Sequence, residues 1–246
     1  MLFRSHSILQ AANVQVRRRQ ARGVSGNLSY TLARSMDNAS SLGAGSPVVA
    51  QNDRDLESEW ALSSFDRRHQ VSGDLSVELP FGPNRRWLKN GGLLAGIAGE
   101  WTATLALTLQ SGSPFTARVL GAASDVFRGT NGSLRANATG QPIELSNPTV
   151  DAFFNAAAFA VPDLGLFGDS ARNTVVGPGA RQLNAVFTRD VRLTGTRVVS
   201  LQVNATNLLN TVQWASVDTN VNSPTFGQVL SVRPMRSVTV NVRFRY

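Results

Sequence analysis

The chain contains no cysteine. That excludes a disulfide framework and any thiolate metal centre. It holds only two histidines, His6 and His69, so a multi-histidine metal site has no support at ligand spacing. Charge is scarce: Asp, Glu, Lys and Arg make up 16% of the residues, against roughly 25% in an ordinary globular domain. Scarce charge with moderate apolar content fits two designs. One is an all-β surface rich in Ser, Thr, Asn and Gln, and the other is a barrel with an apolar outside and a polar inside. No stretch approaches the roughly 20 uninterrupted apolar residues of a spanning helix, so a membrane passage would be made by strands. Met1 to His6 shows no basic region followed by an apolar one, as a secretory signal requires. The expectation is therefore that the true N-terminus is missing and that the chain is a fragment.

The formal net charge is +8. A basic balance can mark a nucleic-acid footprint. Here the cations are mostly single arginines, with one dense run at Arg17-Arg18-Arg19 and Arg22. Scattered arginine fits a polar barrel interior or the phosphates of a lipid surface better, and no nucleic-acid partner is expected.

Period-two alternation is the strongest pattern present. Val238, Val240, Val242, Phe244 and Tyr246 oppose Ser237, Thr239, Asn241, Arg243 and Arg245. Leu201, Val203 and Ala205 oppose Gln202, Asn204 and Thr206. Leu75, Val77 and Leu79 oppose Asp74, Ser76 and Glu78. Trp101, Ala103, Leu105, Leu107 and Leu109 oppose Thr102, Thr104, Thr108 and Gln110. A helix would scatter these sets round its surface, whereas a strand gives each set one face. The reading places strands at 8–19, 24–36, 66–80, 93–110, 182–194, 197–209, 212–218 and 235–246, with a further pairing segment at 226–232. Such lengths exceed the usual soluble strand of about five or six residues and match the roughly 9–11 needed to cross a bilayer at a tilt. Tight connections are expected near Arg19–Gly23, Pro80–Gly92, Thr194–Thr196 and Asn207–Asn210. Long loops are expected at 37–65, 113–168 (continuing to 181) and 219–233. Alternating short and long connections is the habit of outer-membrane barrels. Parity then asks for one more strand, and 169–176, with the turn Gly177-Pro178-Gly179, is the candidate.

Several stretches, in this order, resemble the last part of Oar-like TonB-dependent receptors. Tyr30-Thr31-Leu32-Ala33-Arg34-Ser35-Met36-Asp37 is similar to that family's YTxSxSxD strand end. Phe65-Asp66-Arg67-Arg68-His69 and Leu79-Pro80-Phe81-Gly82 resemble FDxRH and LPFG. Gln110-Ser111-Gly112-Ser113-Pro114-Phe115-Thr116 resembles QSGxPFT. Phe167-Gly168, Arg172-Asn173 and Gly177-Pro178-Gly179 follow FGxxxRNxxxGPG. Asn207-Leu208-Leu209-Asn210 resembles NLFN, and Ser223-Pro224-Thr225-Phe226-Gly227 matches SPTFG. The resemblance implies a 22-stranded barrel, a plug domain and an energising TonB-type partner. Neither a plug nor a TonB box lies within residues 1–246, so the chain reads as the C-terminal, eight-to-ten-strand part of such a barrel.

Phe244 and Tyr246 close the last alternating strand, and the resemblance makes them a signal for the barrel assembly machinery. Tyr30, Trp87, Trp101 and Trp214 lie near strand ends, where interfacial aromatics anchor at headgroup level. His69 with Asp66, Arg67 and Arg68 lacks a nucleophile or a second histidine and reads as a solvated rim or lumen network. Asp37, Asn38, Asn52, Asp53, Asp55, Glu57 and Glu59 lack calcium-loop spacing and read as a solvated loop. The expectation is thus an all-β, antiparallel transmembrane barrel segment in the outer membrane. It would be a non-enzyme without cofactor, surrounded by lipid, that binds or imports a large ligand. The alternative is a soluble β-sandwich module binding carbohydrate or protein.

Overall fold

The computed structural model describes residues 5–39, 50–52, 54–82, 85–89, 93–120 and 134–246. In chain order the strands are β1 (Ser7–Ala21), β2 (Val24–Asp37), β3 (Ala61–Leu62), β4 (His69–Glu78), β5 (Thr102–Gln110), β6 (Pro114–Phe115) and β7 (Asn137–Ala138). They continue as β8 (Phe159–Ala160), β9 (Val175–Val176), β10 (Ala180–Arg192), β11 (Val198–Thr206), β12 (Trp214–Val217), β13 (Val229–Val232) and β14 (Ser237–Arg245); an α-helix, α1, spans Leu93–Ala98, and a 3-10 turn spans Ala156–Ala158. Seven long strands form one sheet in the order β1-β2-β4-β5-β10-β11-β14, with β3 extending the pairing of β2. Every neighbouring pair is antiparallel.

Antiparallel order fixes the two ends of the sheet. One end carries Arg22-Gly23, the described residues of 79–101 and residues 193–197. The other carries the described residues of 38–68 and 111–179, and 207–236. The β1–β2 turn has both central residues in the left-handed region, Arg22 at φ 54° and Gly23 at φ 75°. That is the geometry whose twist matches a two-residue hairpin. The pairing slips between Arg18 and Ala21, so one extra residue bulges there.

Four expectations need correction. Residues 93–98 form α1 instead of the start of a strand; the run Leu93-Leu94-Ala95-Gly96-Ile97-Ala98 has no period-two alternation, which begins only at Trp101. The segment 169–176 crosses nothing: only β9 pairs, with the two residues of β6. Trp214–Val217 does not join the main sheet but pairs with β13, and at four residues it is too short to span a bilayer. Counting β12 as a crossing had created the demand for an extra strand; without it, β5 and β10 are direct antiparallel neighbours and parity closes. Asn207–Asn210 therefore opens the third long connection, which starts at 207 instead of 219.

Cross-strand register sorts the side chains into rows. On one face, Val14, Tyr30, Val71 and Leu109 align, as do Val24, Val77, Ala103, Phe187, Val203 and Val240. The opposite face is polar and internally hydrogen-bonded. Asn13 donates to Ser29 and Thr31 at 3.0 and 2.7 Å, and Gln15 to Asn27 at 2.7 Å. The apolar rows remain uncovered: Val240 is 63% and Val242 67% exposed. A β-sandwich would press a second sheet onto that face, and among the described residues none does. The buried apolar core lies instead at the long-connection end.

Candidate functional site

The described residues of the long connections 38–68, 111–179 and 207–236 fold into one cap. Its apolar half is built on three phenyl rings, Phe154, Phe159 and Phe226, with centroids 5.1–6.1 Å apart and planes nearly perpendicular. This is the edge-to-face arrangement that the ring quadrupoles favour. Ala117, Ala136, Ala158, Val175 and Val217 close the cluster. Trp214 packs edge-on against Phe153, 5.7 Å away.

The polar half is a buried ion network. Glu59, 1% exposed, accepts from the Arg135 guanidinium at 2.5 Å and from the Gln51 amide at 2.9 Å. Arg135 also donates to the Ser170 carbonyl at 2.8 Å. Arg172 bonds the Asp37 carboxylate at 2.7 Å and the Asp37 carbonyl at 2.6 Å, and its Nε lies 3.9 Å from Glu59. Two carboxylates and two guanidiniums, all nearly sealed from solvent, balance in charge. Buried charges persist when they are paired and hydrogen-bonded in this way. The network joins the end of β2 to 51–59 and to both halves of 111–179. The expectation that Asp37 and Glu59 lie in a solvated loop is therefore overturned; Asp53 lies outside the described residues.

Around this network the scattered motifs meet. Asp66 accepts from the Ser35 amide at 2.6 Å. Asn173, in the left-handed region at φ 58°, donates to the Leu62 carbonyl at 2.6 Å and exchanges hydrogen bonds with Thr116 at 2.9 and 3.0 Å. Arg67 donates to Ser113. Gln51 donates to the Gly168 carbonyl at 2.8 Å, and a Cβ at Gly168 would stand 2.0 Å from the Arg135 carbonyl, so only glycine fits. A Cβ at Gly112 would likewise fall 1.7 Å from the Gly177 carbonyl. Asp66 is thus a buried tether, not part of a solvated rim. The sequence reading missed Gln51 and Arg135 and placed Glu59 in water; the one local hint was Glu59 set directly before Trp60-Ala61-Leu62.

The aromatics singled out from sequence fall at different levels. Tyr30 lies on the apolar face toward the cap, its hydroxyl 2.9 Å from His69 Nδ1. Trp101 precedes β5 at the opposite end and donates to the Ile97 carbonyl at 3.0 Å. Trp87, in the 79–101 connection, packs on Phe81 at 5.3 Å. Trp214 belongs to the cap. Phe244 and Tyr246 stack at 6.3 Å on the apolar face of β14, an edge strand with every residue exposed.

Elsewhere in the cap, Asp218 accepts from Thr225 Oγ1 at 2.6 Å and the Asn220 amide at 2.9 Å. Burial pushes its carboxyl upward, but hydrogen bonds from Ser223, Thr225 and Asn220 and the charge of Arg118 outweigh this and hold it below its usual value.

A long-stranded antiparallel sheet with one wet and one bare apolar face fits hydrocarbon on one side and water on the other. No curated protein and no solved structure gives a significant match. The family model for the outer membrane beta barrel domain matches residues 2–239, nearly the whole chain. The chain therefore belongs to the outer membrane beta barrel domain family, and its place is the cell outer membrane.

Proposed function

We propose that the chain is the C-terminal part of a larger receptor barrel, of the TonB-dependent, Oar-like type, that engages a large ligand at the cell surface. The observation that carries this reading is the convergence of the motifs. Asp37, Asp66, Thr116, Arg172, Asn173 and Gly177 are far apart in sequence, yet they hold one cap together. A ligand-facing surface needs loops fixed before the ligand arrives, because ordering them on contact subtracts from affinity. Two long connections cross-linked by buried charge, with the third packed on them through Phe226, meet that need. The energising partner would act through a plug outside these residues, and lipid and the barrel assembly machinery are the other partners in this reading.

Two open edges support the placement within a larger barrel. Among the described residues, β1 and β14 are each hydrogen-bonded on one side only. In lipid, unpaired strand edges are costly, so both would pair with further strands. The test uses the intact gene product. A plug encoded upstream of Met1, together with capture of the protein by the periplasmic domain of a TonB-type partner, is the expected result. A complete unrelated gene upstream, with no capture, would overturn the receptor reading and leave the outer-membrane barrel standing.

A further inference from the structure

Arg18 stands on the apolar face. It pairs with Gly26, and the row continues through Leu75, Leu105, Ala185 and Ala205 to Val238. Arg17 and Arg19 line a polar hollow with Gln15, Asn27 and Asp74, and Arg18 borders both this hollow and the apolar face. Among the described residues Arg18 has no hydrogen-bond or ion-pair partner. A charge on the lipid face of a barrel is destabilising in a depth-dependent way, so an arginine kept there with no partner among the described residues points to a partner in the membrane.

The surface beside it is shaped to receive one. The next row runs Val16, Leu28, Gly73, Leu107, Leu183. Between the two rows lies an apolar groove of about 390 Å³, lined by Leu28, Leu75, Leu105, Leu107 and Leu183, with Arg18 at its rim. That volume is within the range of small-molecule clefts, roughly 300–1,000 Å³. Gly26 and Gly73 lower its floor to bare backbone; a Cβ at Gly73 would stand 2.8 Å from the Asn27 carbonyl.

Depth fixes the headgroup. Arg18 is four residues from Arg22 in the hairpin turn, roughly 10 Å along a tilted strand. Short turns of outer-membrane barrels face the periplasm. From that depth the side chain snorkels toward the periplasmic phosphates, where a planar guanidinium binds a phosphodiester through paired hydrogen bonds. We propose that Arg18 and this groove form a binding site for one phospholipid of the periplasmic leaflet, phosphate on Arg18 and an acyl chain along the leucines.

The test uses the intact gene product purified from outer membranes in a non-ionic detergent, with bound lipid counted by native mass spectrometry. Micelles are doped with phosphatidylglycerol or diacylglycerol, or supplemented with inorganic phosphate. The expected result is one phosphatidylglycerol per chain, with the other two probes retained about tenfold less. Arg18→Gln is expected to lose retention about fivefold or more, while Arg18→Lys recovers only part of it, because a lysine keeps the point charge but not the paired hydrogen bonds. Arg192→Gln, a charge-matched control at the same end of the sheet, behaves as wild type. Equal retention of diacylglycerol, equal binding of free phosphate, or an unchanged Arg18→Gln would each overturn the site. The wild-type comparison among probes decides the matter even if a variant fails to insert.

Discussion

Replacing Glu59 with Ala is the sharpest perturbation of the cap. Glu59 is 1% exposed, accepts from Arg135 at 2.5 Å and stands 3.9 Å from Arg172 Nε. Removing it leaves Arg135 with no carboxylate and Arg172 with only Asp37. Breaking a buried pair from one side costs about 3–5 kcal/mol, because the orphaned charge stays buried. The loss falls on the cap, since no long strand of the sheet contacts Glu59 by hydrogen bond or ion pair. The assay is amide hydrogen exchange in detergent or bilayer. The amides of Ala136, Ser170 and Val119, bonded within the cap at 2.9–3.0 Å, report its opening. They are expected to exchange roughly a hundred- to several-thousand-fold faster, by the tenfold-per-1.4 kcal/mol conversion applied to a local opening. Amides of β10 and β11 should be unchanged. The double substitution Glu59→Met with Arg135→Met should recover much of the loss, since an apolar pair can replace a buried ion pair. Unchanged cap exchange in Glu59→Ala would refute the claim that buried charge locks these loops.

Three further outcomes follow from the same geometry. Asn173→Leu removes the side-chain bonds to the Leu62 carbonyl and from the Thr116 hydroxyl and places a branched side chain at φ 58°, so a cap destabilised by about 3 kcal/mol is expected, read as faster proteolysis within 111–179. Gly23→Val forces a β-branched residue to φ 75° with its Cβ 3.2 Å from that of Glu78; a cost of about 1–2 kcal/mol should appear as a smaller heat-modifiable fraction on gels. For Asp218, the folded carboxyl lies below its unfolded value, so it stabilises the 218–228 turn at neutral pH. That contribution is lost as pH falls through the folded value, and Asp218→Asn should remove the acid-dependent part of the opening of this turn, measured by exchange at Gly227.

The long strands were readable because alternation is a local property. Leu105 and Thr104 report their faces without knowledge of their neighbours, and Arg22-Gly23 announces its turn through glycine. Trp214–Val217 misled for the same reason: alternation is identical in a crossing strand and in a short hairpin of the cap, and only length separates them. Residues 93–98 were carried into a strand by the alternation that follows them. Glu59 and Arg135 were illegible because a charge in a loop defaults to water, and only a partner 76 residues away reverses that default. The motifs were visible one by one. Their meeting at Asn173 and Arg172 is a tertiary fact, since no local rule places Thr116 against a residue 57 positions later.

The central claim is that alternate side chains of these strands face hydrocarbon and water. The chain has no native cysteine, so single cysteines introduced at each position from 102 to 110 report without background. Labelling with a membrane-impermeant maleimide in outer-membrane vesicles opened to the reagent should be strong at 102, 104, 106, 108 and 110 and weak at 103, 105, 107 and 109. Uniform labelling at every position, or strong labelling at the leucines, would contradict a membrane-spanning β5.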